Sequence, residues 1–133
     1  MIFVDTSFVV AWINPADALH KRAIDLLIDF QSEPWLTTDC VLLEIGNSLA
    51  RRHRAEAVNT IENFLSDETI EVVGLDANLF NRAFELFRGR RDKTWGLIDC
   101  VSFLVMKDND ITDALTNDRH FQQSGFKALM RDD

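Results

Sequence analysis

Apolar residues fall into two kinds of segment along this chain, short continuous runs and longer stretches with helical spacing. The short runs predict five strands, at residues 2–4, 35–38, 70–75, 111–116 and 126–130. The stretches between them predict helices, one capped by Thr6 or Ser7 and others at about 16–30, 39–52, 55–65, 76–87 and 98–108. This alternation, with a first strand that is apolar on both faces, indicates an α/β fold with a buried parallel sheet.

The length and composition fit one compact unit. With 133 residues, 47% of them hydrophobic, the chain can bury one ordinary core, whereas two independent domains would each be marginal. The glycines and prolines do not cluster into a linker, and no internal repeat is visible. We therefore expect a single domain over residues 1–133.

The start of the chain and its cysteines indicate a soluble, cytoplasmic protein. The sequence begins directly in an apolar strand, without a basic leader or an apolar stretch long enough to span a membrane. Cys40 and Cys100 lie among apolar neighbours and lack metal-ligand spacing. We interpret them as reduced core thiols rather than as a disulfide or a zinc site.

Four acidic residues stand inside apolar segments or directly after them: Asp5, Glu44, Asp99 and Asp118. Carboxylates are rarely placed in apolar surroundings without a partner, and only Asp118 has a cation next to it in sequence, Arg119. If the fold collects them, they repel one another unless a divalent cation binds between them. The pattern therefore predicts a Mg²⁺ or Mn²⁺ site suited to phosphodiester chemistry. Asp39 and Asp76 are better explained as helix caps.

Two of these acids have polar neighbours at helical spacing. Asn47 and Arg51 follow Glu44 at three and seven positions, so the three side chains share one helix face and could point into one cleft. Ser102 lies one turn after Asp99 in an otherwise apolar helix. Because Asp99 would add nothing to the packing of that helix, we expect it to have a functional role.

The net charge of −8 argues against a general nucleic-acid binder, since phosphate affinity usually comes from clustered cations. Two basic strips nevertheless stand out. The first strip consists of Arg51, Arg52 and Arg54, and the second strip consists of Arg90, Arg91 and Lys93. They could flank an acidic cleft and hold an RNA backbone, or they could be solvated helix ends.

Taken together, the quoted residues resemble the PIN domain family, and within it the small ribonuclease toxins of VapBC toxin–antitoxin pairs. The resemblance rests on Val4-Asp5-Thr6-Ser7, on the helix with Glu44 and Asn47, on the segment from Asp92 to Phe103, and on Leu115-Thr116-Asn117-Asp118. The four acids are separated by 39, 55 and 19 positions, and the match covers nearly the whole chain.

The resemblance implies a three-layer α/β/α sandwich around a mostly parallel sheet, with Mg²⁺ or Mn²⁺ in an acidic pocket. The family's acids map to Asp5, Glu44, Asp99 and Asp118. Its hydroxyl positions near the metal map to Thr6 and Thr116, and its amide maps to Asn47. Asn117 departs from the pattern, because a small residue is often found there. The resemblance also implies an RNA substrate, a cognate antitoxin and a homodimer.

Some alternatives stay open at this point. A PIN-like nuclease could act in RNA processing or decay, and a non-catalytic relative could only bind RNA. Two other magnesium-dependent folds fit the sequence less well. A response-regulator receiver needs an adjacent acidic pair after the first strand, but Asp5 is followed by Thr6. A haloacid-dehalogenase-type phosphatase needs an acid at position 7, which is Ser7.

The roles of two single residues are also open. His120 could touch the substrate, but we expect it to orient its loop. Trp12 and Trp35 are expected in the core, whereas Trp95 could either pack there or stack on a base.

Overall fold

A computed structural model describes residues 1–133. Its strands are β1 (Ile2–Val4), β2 (Trp35–Thr38), β3 (Ile70–Val73), β4 (Asp113–Leu115) and β5 (Lys127–Ala128). Its helices are α1 (Thr6–Ile13), α2 (His20–Phe30), α3 (Asp39–Ser48), α4 (Arg54–Ser66), α5 (Ala77–Gly89), α6 (Leu97–Asp108) and α7 (Arg119–Gln123). None of these helices combines the length and the apolar character needed to cross a membrane.

The five strands form one sheet in the order β3-β2-β1-β4-β5, and every pairing is parallel. Phe3 of β1 is in register with Leu36 of β2 on one side and with Ala114 of β4 on the other. The chain builds outward from β1 to β3 and then returns to place β4 beside β1. The reversal between β1 and β4 is a topological switch point, where the carboxyl ends of parallel strands open a crevice for ligands.

Helices cover both faces of the sheet. Right-handed crossovers place α1 to α4, which connect β1, β2 and β3, on one face, and place α5 and α6, which lead back to β4, on the other. The packing agrees with this arrangement, since α1 contacts α2 and α3, while α5 and α7 both contact α6. The predicted three-layer α/β/α sandwich is therefore confirmed.

Aromatic side chains fill the core on both sides of the sheet. Trp12 and Trp35 pack with Phe8 and Phe64, with neighbouring ring centroids 5.9–6.5 Å apart, so the prediction that both tryptophans are core residues is confirmed. Cys40 and Cys100 are buried free thiols, also as predicted.

Several helix boundaries differ from the predicted ones. The second helix begins at His20 rather than at residue 16, because the Asn14 and Asp17 side chains accept the Ala16 and Leu19 N–H groups and hold the segment in turns. The third helix ends at Ser48 rather than at residue 52. After it the chain turns through residues 49–53, which lets α4 fold back onto α3.

Local hydrogen bonding explains the other differences. Neither Thr6 nor Ser7 caps α1, because Asp5 is its N-cap residue and makes no side-chain capping bond. Thr38 caps α3 by accepting the Val41 N–H, whereas the Asp39 carboxylate accepts the Leu75 N–H, so Asp39 is not the cap of α3. Helix α7 is not predicted, since five residues are too few to show a helical period. Strands β3, β4 and β5 are also shorter than predicted.

Candidate active site

Strand pairing fixes the first acid of the site. Asp5 follows β1 directly, and its N–H donates to the Leu115 carbonyl at the end of β4, 3.2 Å away. Its side chain is almost fully buried, and Asp5 Oδ2 accepts a 2.7 Å hydrogen bond from the Thr116 hydroxyl. The parallel pairing of β1 with β4 thus places a buried carboxylate at the switch point.

The other three acids reach the same cavity from different elements. Glu44 comes from α3, Asp99 from the first turn of α6, and Asp118 from the residues after β4. All four acids line one cavity of about 420 Å³. Because α3 and α6 belong to opposite helical layers, the site gathers carboxylates from both faces of the sheet.

Hydroxyl groups hold two of these carboxylates in place. Thr6 Oγ1 donates to Glu44 Oε1 over 2.8 Å, and Thr116 Oγ1 donates to Asp5 Oδ2. Ser7 Oγ lies 3.2 Å from the Thr116 hydroxyl and accepts the Asn117 N–H. The Asp118 N–H donates to Thr116 Oγ1. The loop after β4 is therefore tied to the first turn of α1.

His120 lies inside the acidic group. Its Nδ1 is 3.2 Å from both Asp99 Oδ2 and Asp118 Oδ1, and its Nε2 is 3.1 Å from the Thr94 hydroxyl. Carboxylates only accept hydrogen bonds, so we assign the proton to Nδ1, and Nε2 accepts from Thr94. The expectation that His120 only orients its loop is thus incomplete, because the ring contacts two of the four acids.

Asp99 has a structural contact as well as a place in the cavity. Its Oδ2 accepts the N–H of Gly96, the N-cap residue of α6, over 2.9 Å. This is the reciprocal bond of a capping box. Asp99 therefore stabilises the start of α6 by a hydrogen bond, which the expectation about packing did not include, and its carboxylate also lines the cavity.

Burial raises the pKa of two acids. Desolvation raises the pKa of Asp5 from 3.8 to about 7; the Thr116 hydrogen bond opposes this rise, and nearby Glu44 and Asp99 add to it. The pKa of Asp99 is raised as well, first by burial and further by Asp118, while the Gly96 N–H and His120 lower it. Keeping Asp5 and Asp99 ionised therefore costs free energy, and a bound cation would offset that cost.

The donor set fits a hard divalent cation. Carboxylate oxygens of Asp99 and Asp118 lie within 4.8 Å of one another and of a His120 ring nitrogen. Asp5 and Glu44 line the same cavity and add further carboxylate oxygens. Oxygen-rich sets of this kind suit Mg²⁺ and Mn²⁺.

Two predicted supporting residues lie elsewhere. Asn47 is exposed and does not line the cavity, whereas Ser48 does, because α3 presents the position four residues after Glu44 rather than three. Ser102 is buried in the core with no hydrogen-bond partner for its hydroxyl, and it does not line the cavity.

Sequence reasoning missed four polar lining residues, Ser7, Asp17, Ser48 and Asn117, and the apolar residues Val10 and Leu19. Asn117 was noted only as a departure at the rim. Ser7 could have been found from its position two residues after Asp5. Asp17 looks like an ordinary turn residue in sequence, and it is one, since Asp17 Oδ1 accepts the Leu19 N–H.

The first basic strip lies beside the acidic cavity. Arg51 and Arg52 line an adjoining cavity that shares Val10 and Ser48 with the acidic one. Arg54 is directed elsewhere and donates to the Ala50 carbonyl.

The second basic strip approaches the site through Thr94, which contacts His120. Within it, Arg90 forms two hydrogen bonds of 3.0 Å to Asp92 and lies over the Trp95 ring, 4.8 Å from its centroid. Trp95 itself is only 6% exposed and packs edge-on against Phe103. Of its two open roles, core packing is therefore the correct one.

Comparison with known proteins places these features in a family. The PIN domain model matches residues 2–127. The chain is 36% identical over 130 residues to the 23S rRNA-specific endonuclease VapC20 of Mycobacterium tuberculosis strains CDC 1551 / Oshkosh and H37Rv, covering 95% of each protein.

Solved structures agree with this match. The crystal structure of Mycobacterium tuberculosis VapC20, described as a sarcin–ricin loop cleaving toxin, has a TM-score of 0.84 and 30% identity, with 95% of this chain and 96% of that chain covered. FitAcB from Neisseria gonorrhoeae shares the fold at a TM-score of 0.65 and 16% identity, with coverage of 96% and 95%. The family model and the VapC20 relatives both span nearly the whole chain, and this protein belongs to the PIN domain family.

Proposed function

We propose that this protein is a metal-dependent endoribonuclease and the toxin of a toxin–antitoxin pair. The observation that carries the proposal is the meeting of Asp5, Glu44, Asp99 and Asp118 in one cavity at the switch point of the sheet. The similarity to the 23S rRNA-specific endonuclease VapC20 supports RNA as the substrate.

Mg²⁺, with Mn²⁺ as the alternative, would be held by Asp5, Asp99 and Asp118, with Glu44 contributing directly or through water. When bound, such an ion lowers the pKa of a water and screens the charge that develops on the phosphate. The protein's own contribution is to fix the carboxylates: Thr116 orients Asp5, and Thr6 orients Glu44. Side chains held in this way lose little freedom when the substrate arrives.

His120 acts as a positioning residue in this proposal. Its Nδ1–H lies between Asp99 and Asp118 and keeps the two carboxylates facing one another. Thr94 holds the far side of the ring and so couples the basic loop to the acidic cavity. A backbone bound by Arg91 and Lys93 would therefore lie close to the acids, while Arg90 mainly shapes the loop through Asp92 and Trp95.

A structured ribosomal RNA loop is the substrate that we propose. The relative VapC20 is described as cleaving the sarcin–ricin loop. The net charge of −8 makes general affinity for RNA weak, so local contacts around the cavity have to select the target. A cytoplasmic location is part of this proposal, because ribosomal RNA and an antitoxin would both be met there.

The test is to incubate purified ribosomes with the protein and Mg²⁺ and to sequence the new RNA 5′ ends. We expect one dominant cut in 23S rRNA, within the sarcin–ricin loop. A dominant cut in another RNA would support the nuclease activity but contradict the proposed substrate. Cuts spread evenly over all RNAs would contradict a specific toxin.

The acidic cavity also suggests how an antitoxin would inhibit the protein. A guanidinium pairs bidentately with carboxylates and stays charged, so an antitoxin that inserts an Arg against these acids would exclude the metal. We expect added Mg²⁺ to weaken binding of the antitoxin tail, and Asp99→Asn to weaken it as well. Calorimetric titration measures both effects. An affinity indifferent to Mg²⁺ and to Asp99→Asn would show that inhibition uses another surface.

The proposal also includes the homodimer that the family resemblance implies.

A further inference from the structure

A second cavity opens directly beside the acidic one. It has a volume of about 430 Å³ and is lined by the turn that follows α3 and by the turn between α1 and α2. Val10 and Ser48 line both cavities, so the two adjoin at these residues. The neighbouring cavity, however, contains no carboxylate side chain among its lining residues.

Arg51 and Arg52 give this cavity an uncompensated positive charge. Both are exposed, and neither makes an ion pair or a side-chain hydrogen bond. Other arginines are committed, such as Arg82 to Asp108 and Arg90 to Asp92. In a chain with a net charge of −8, two free guanidinium groups at one cavity are suited to an anion that is not part of this chain.

The turn that carries these arginines has a defined shape. Leu49 ends α3 with its N–H on the Ile45 carbonyl, and His53 adopts a left-handed backbone with a φ of 63°. The His53 ring, 2.9 Å from Glu56, ties this residue to the first turn of α4. Non-glycine residues rarely adopt this conformation unless the surrounding structure holds them there. Arg51 and Arg52 are thus presented on a turn that both flanking helices fix.

We propose that this second cavity is the subsite for the nucleotide next to the cleaved phosphodiester. The proposal rests on the endoribonuclease function proposed above and adds the path of the strand, from the acidic cavity across Ser48 to Arg51 and Arg52. The two guanidinium groups would hold the flanking phosphate, and the apolar surface of Pro15 and Leu49 would contact the sugar or base. A few hundred Å³ is the usual size of a small-ligand site.

The test measures RNA binding with and without these charges. A fluorescein-labelled hairpin with the sarcin–ricin loop sequence is titrated with the protein at several KCl concentrations, with Ca²⁺ in place of Mg²⁺. Arg51→Ala with Arg52→Ala is expected to weaken binding at least tenfold. It should also flatten the salt dependence by about 0.7 in slope, since the two guanidinium groups hold one phosphate and each single-strand phosphate contact contributes roughly 0.7. The control, Arg82→Ala with Arg88→Ala, removes the same charge from α5, where neither residue lines either cavity.

A second pair of variants tests the cavity itself rather than the arginines. Ala16 is exposed and lines the cavity, whereas Ala77 is exposed at the start of α5 and lines neither cavity. Ala16→Glu places a carboxylate against the bound phosphate and is expected to weaken RNA binding, while Ala77→Glu adds the same charge without this effect.

The outcomes separate the subsite from the enzyme. Unchanged affinity and salt slope for the double arginine variant, or equal effects of Ala16→Glu and Ala77→Glu, would overturn the subsite even if the wild type cleaves RNA. A wild type that binds the hairpin through these residues but cuts no RNA would leave the cavity as an RNA-binding site and contradict the nuclease. Weaker binding of an acidic antitoxin segment with unchanged RNA binding would assign the cavity to the antitoxin instead.

Discussion

Asparagine in place of Asp5 or Asp99 is expected to lower the rate of RNA cleavage by several orders of magnitude while the fold stays intact. Both carboxylates line the acidic cavity, and Asp5 is almost fully buried there. The amide has nearly the same shape but carries no charge, so it binds a divalent cation far less tightly. EDTA should stop the wild-type reaction to the same extent, and added Mg²⁺ or Mn²⁺ should restore it only in the wild type.

Cleavage of a labelled RNA by each purified variant measures this effect. Asp76→Asn is a suitable control, since Asp76 caps α5 through the Leu79 N–H and lies outside the acidic cavity. It should cleave at the wild-type rate. Equal cleavage by the wild type and both cavity variants would point to a contaminating nuclease and refute the assigned site.

The same substitution at Asp5 is expected to make the metal-free protein more stable at neutral pH. The pKa of Asp5 is raised to about 7 in the folded protein, against 3.8 ordinarily, so between these values the folded state binds more protons than the unfolded state. The contribution of Asp5 to the free energy of unfolding is therefore fully present below about pH 4, falls as the pH rises to 7, and is absent above that pH. At roughly 1.4 kcal/mol per unit, the loss amounts to at most about 4 kcal/mol.

Asp5→Asn removes this pH dependence, because the amide stays neutral throughout. Urea unfolding in EDTA should show the variant to be more stable than the wild type at pH 7.5, and nearly equal to it at about pH 4. Saturating Mg²⁺ should then raise the stability of the wild type and leave the variant nearly unchanged.

Asp67→Asn provides a control of opposite sign. Hydrogen bonds from Thr69 lower the pKa of Asp67, so its charge stabilises the folded state at neutral pH, and asparagine should destabilise the protein there. A less stable Asp5→Asn protein in EDTA at pH 7.5 would show that Asp5 is not held as a costly charge.

The four acids could be predicted because each lies inside an apolar segment or follows one, where a carboxylate has no packing value. The position of Asp5 could also be predicted, since a strand's carboxyl end follows from the pattern of a single segment. The contacts of Ser7 and His120 could not, because they depend on β4 pairing with β1 across more than a hundred residues. Nothing in either segment alone indicates that pairing.

The remaining differences concern Asn47, whose direction on its helix was misjudged, and Trp95, whose burial was left open. Successive residues of a helix point about 100° apart, so sequence spacing alone did not decide between Asn47 and Ser48 as the neighbour of Glu44 in the cavity. The indole of Trp95 sits in a polar loop by sequence, yet the fold packs it against Phe103 and covers it with Arg90. Its neighbours in space, which decide its burial, are not its neighbours in the chain.

The pairing of β1 with β4 has a consequence for how the protein is made. Asp5 is translated 111 residues before its hydrogen-bond partner Thr116, and Asp118 is translated later still. A nascent chain therefore cannot assemble the acidic cavity until β4 has left the ribosomal exit tunnel. Prematurely terminated products that end before residue 113 would lack both β4 and Asp118. Abortive synthesis that stops before β4 would thus release inert fragments.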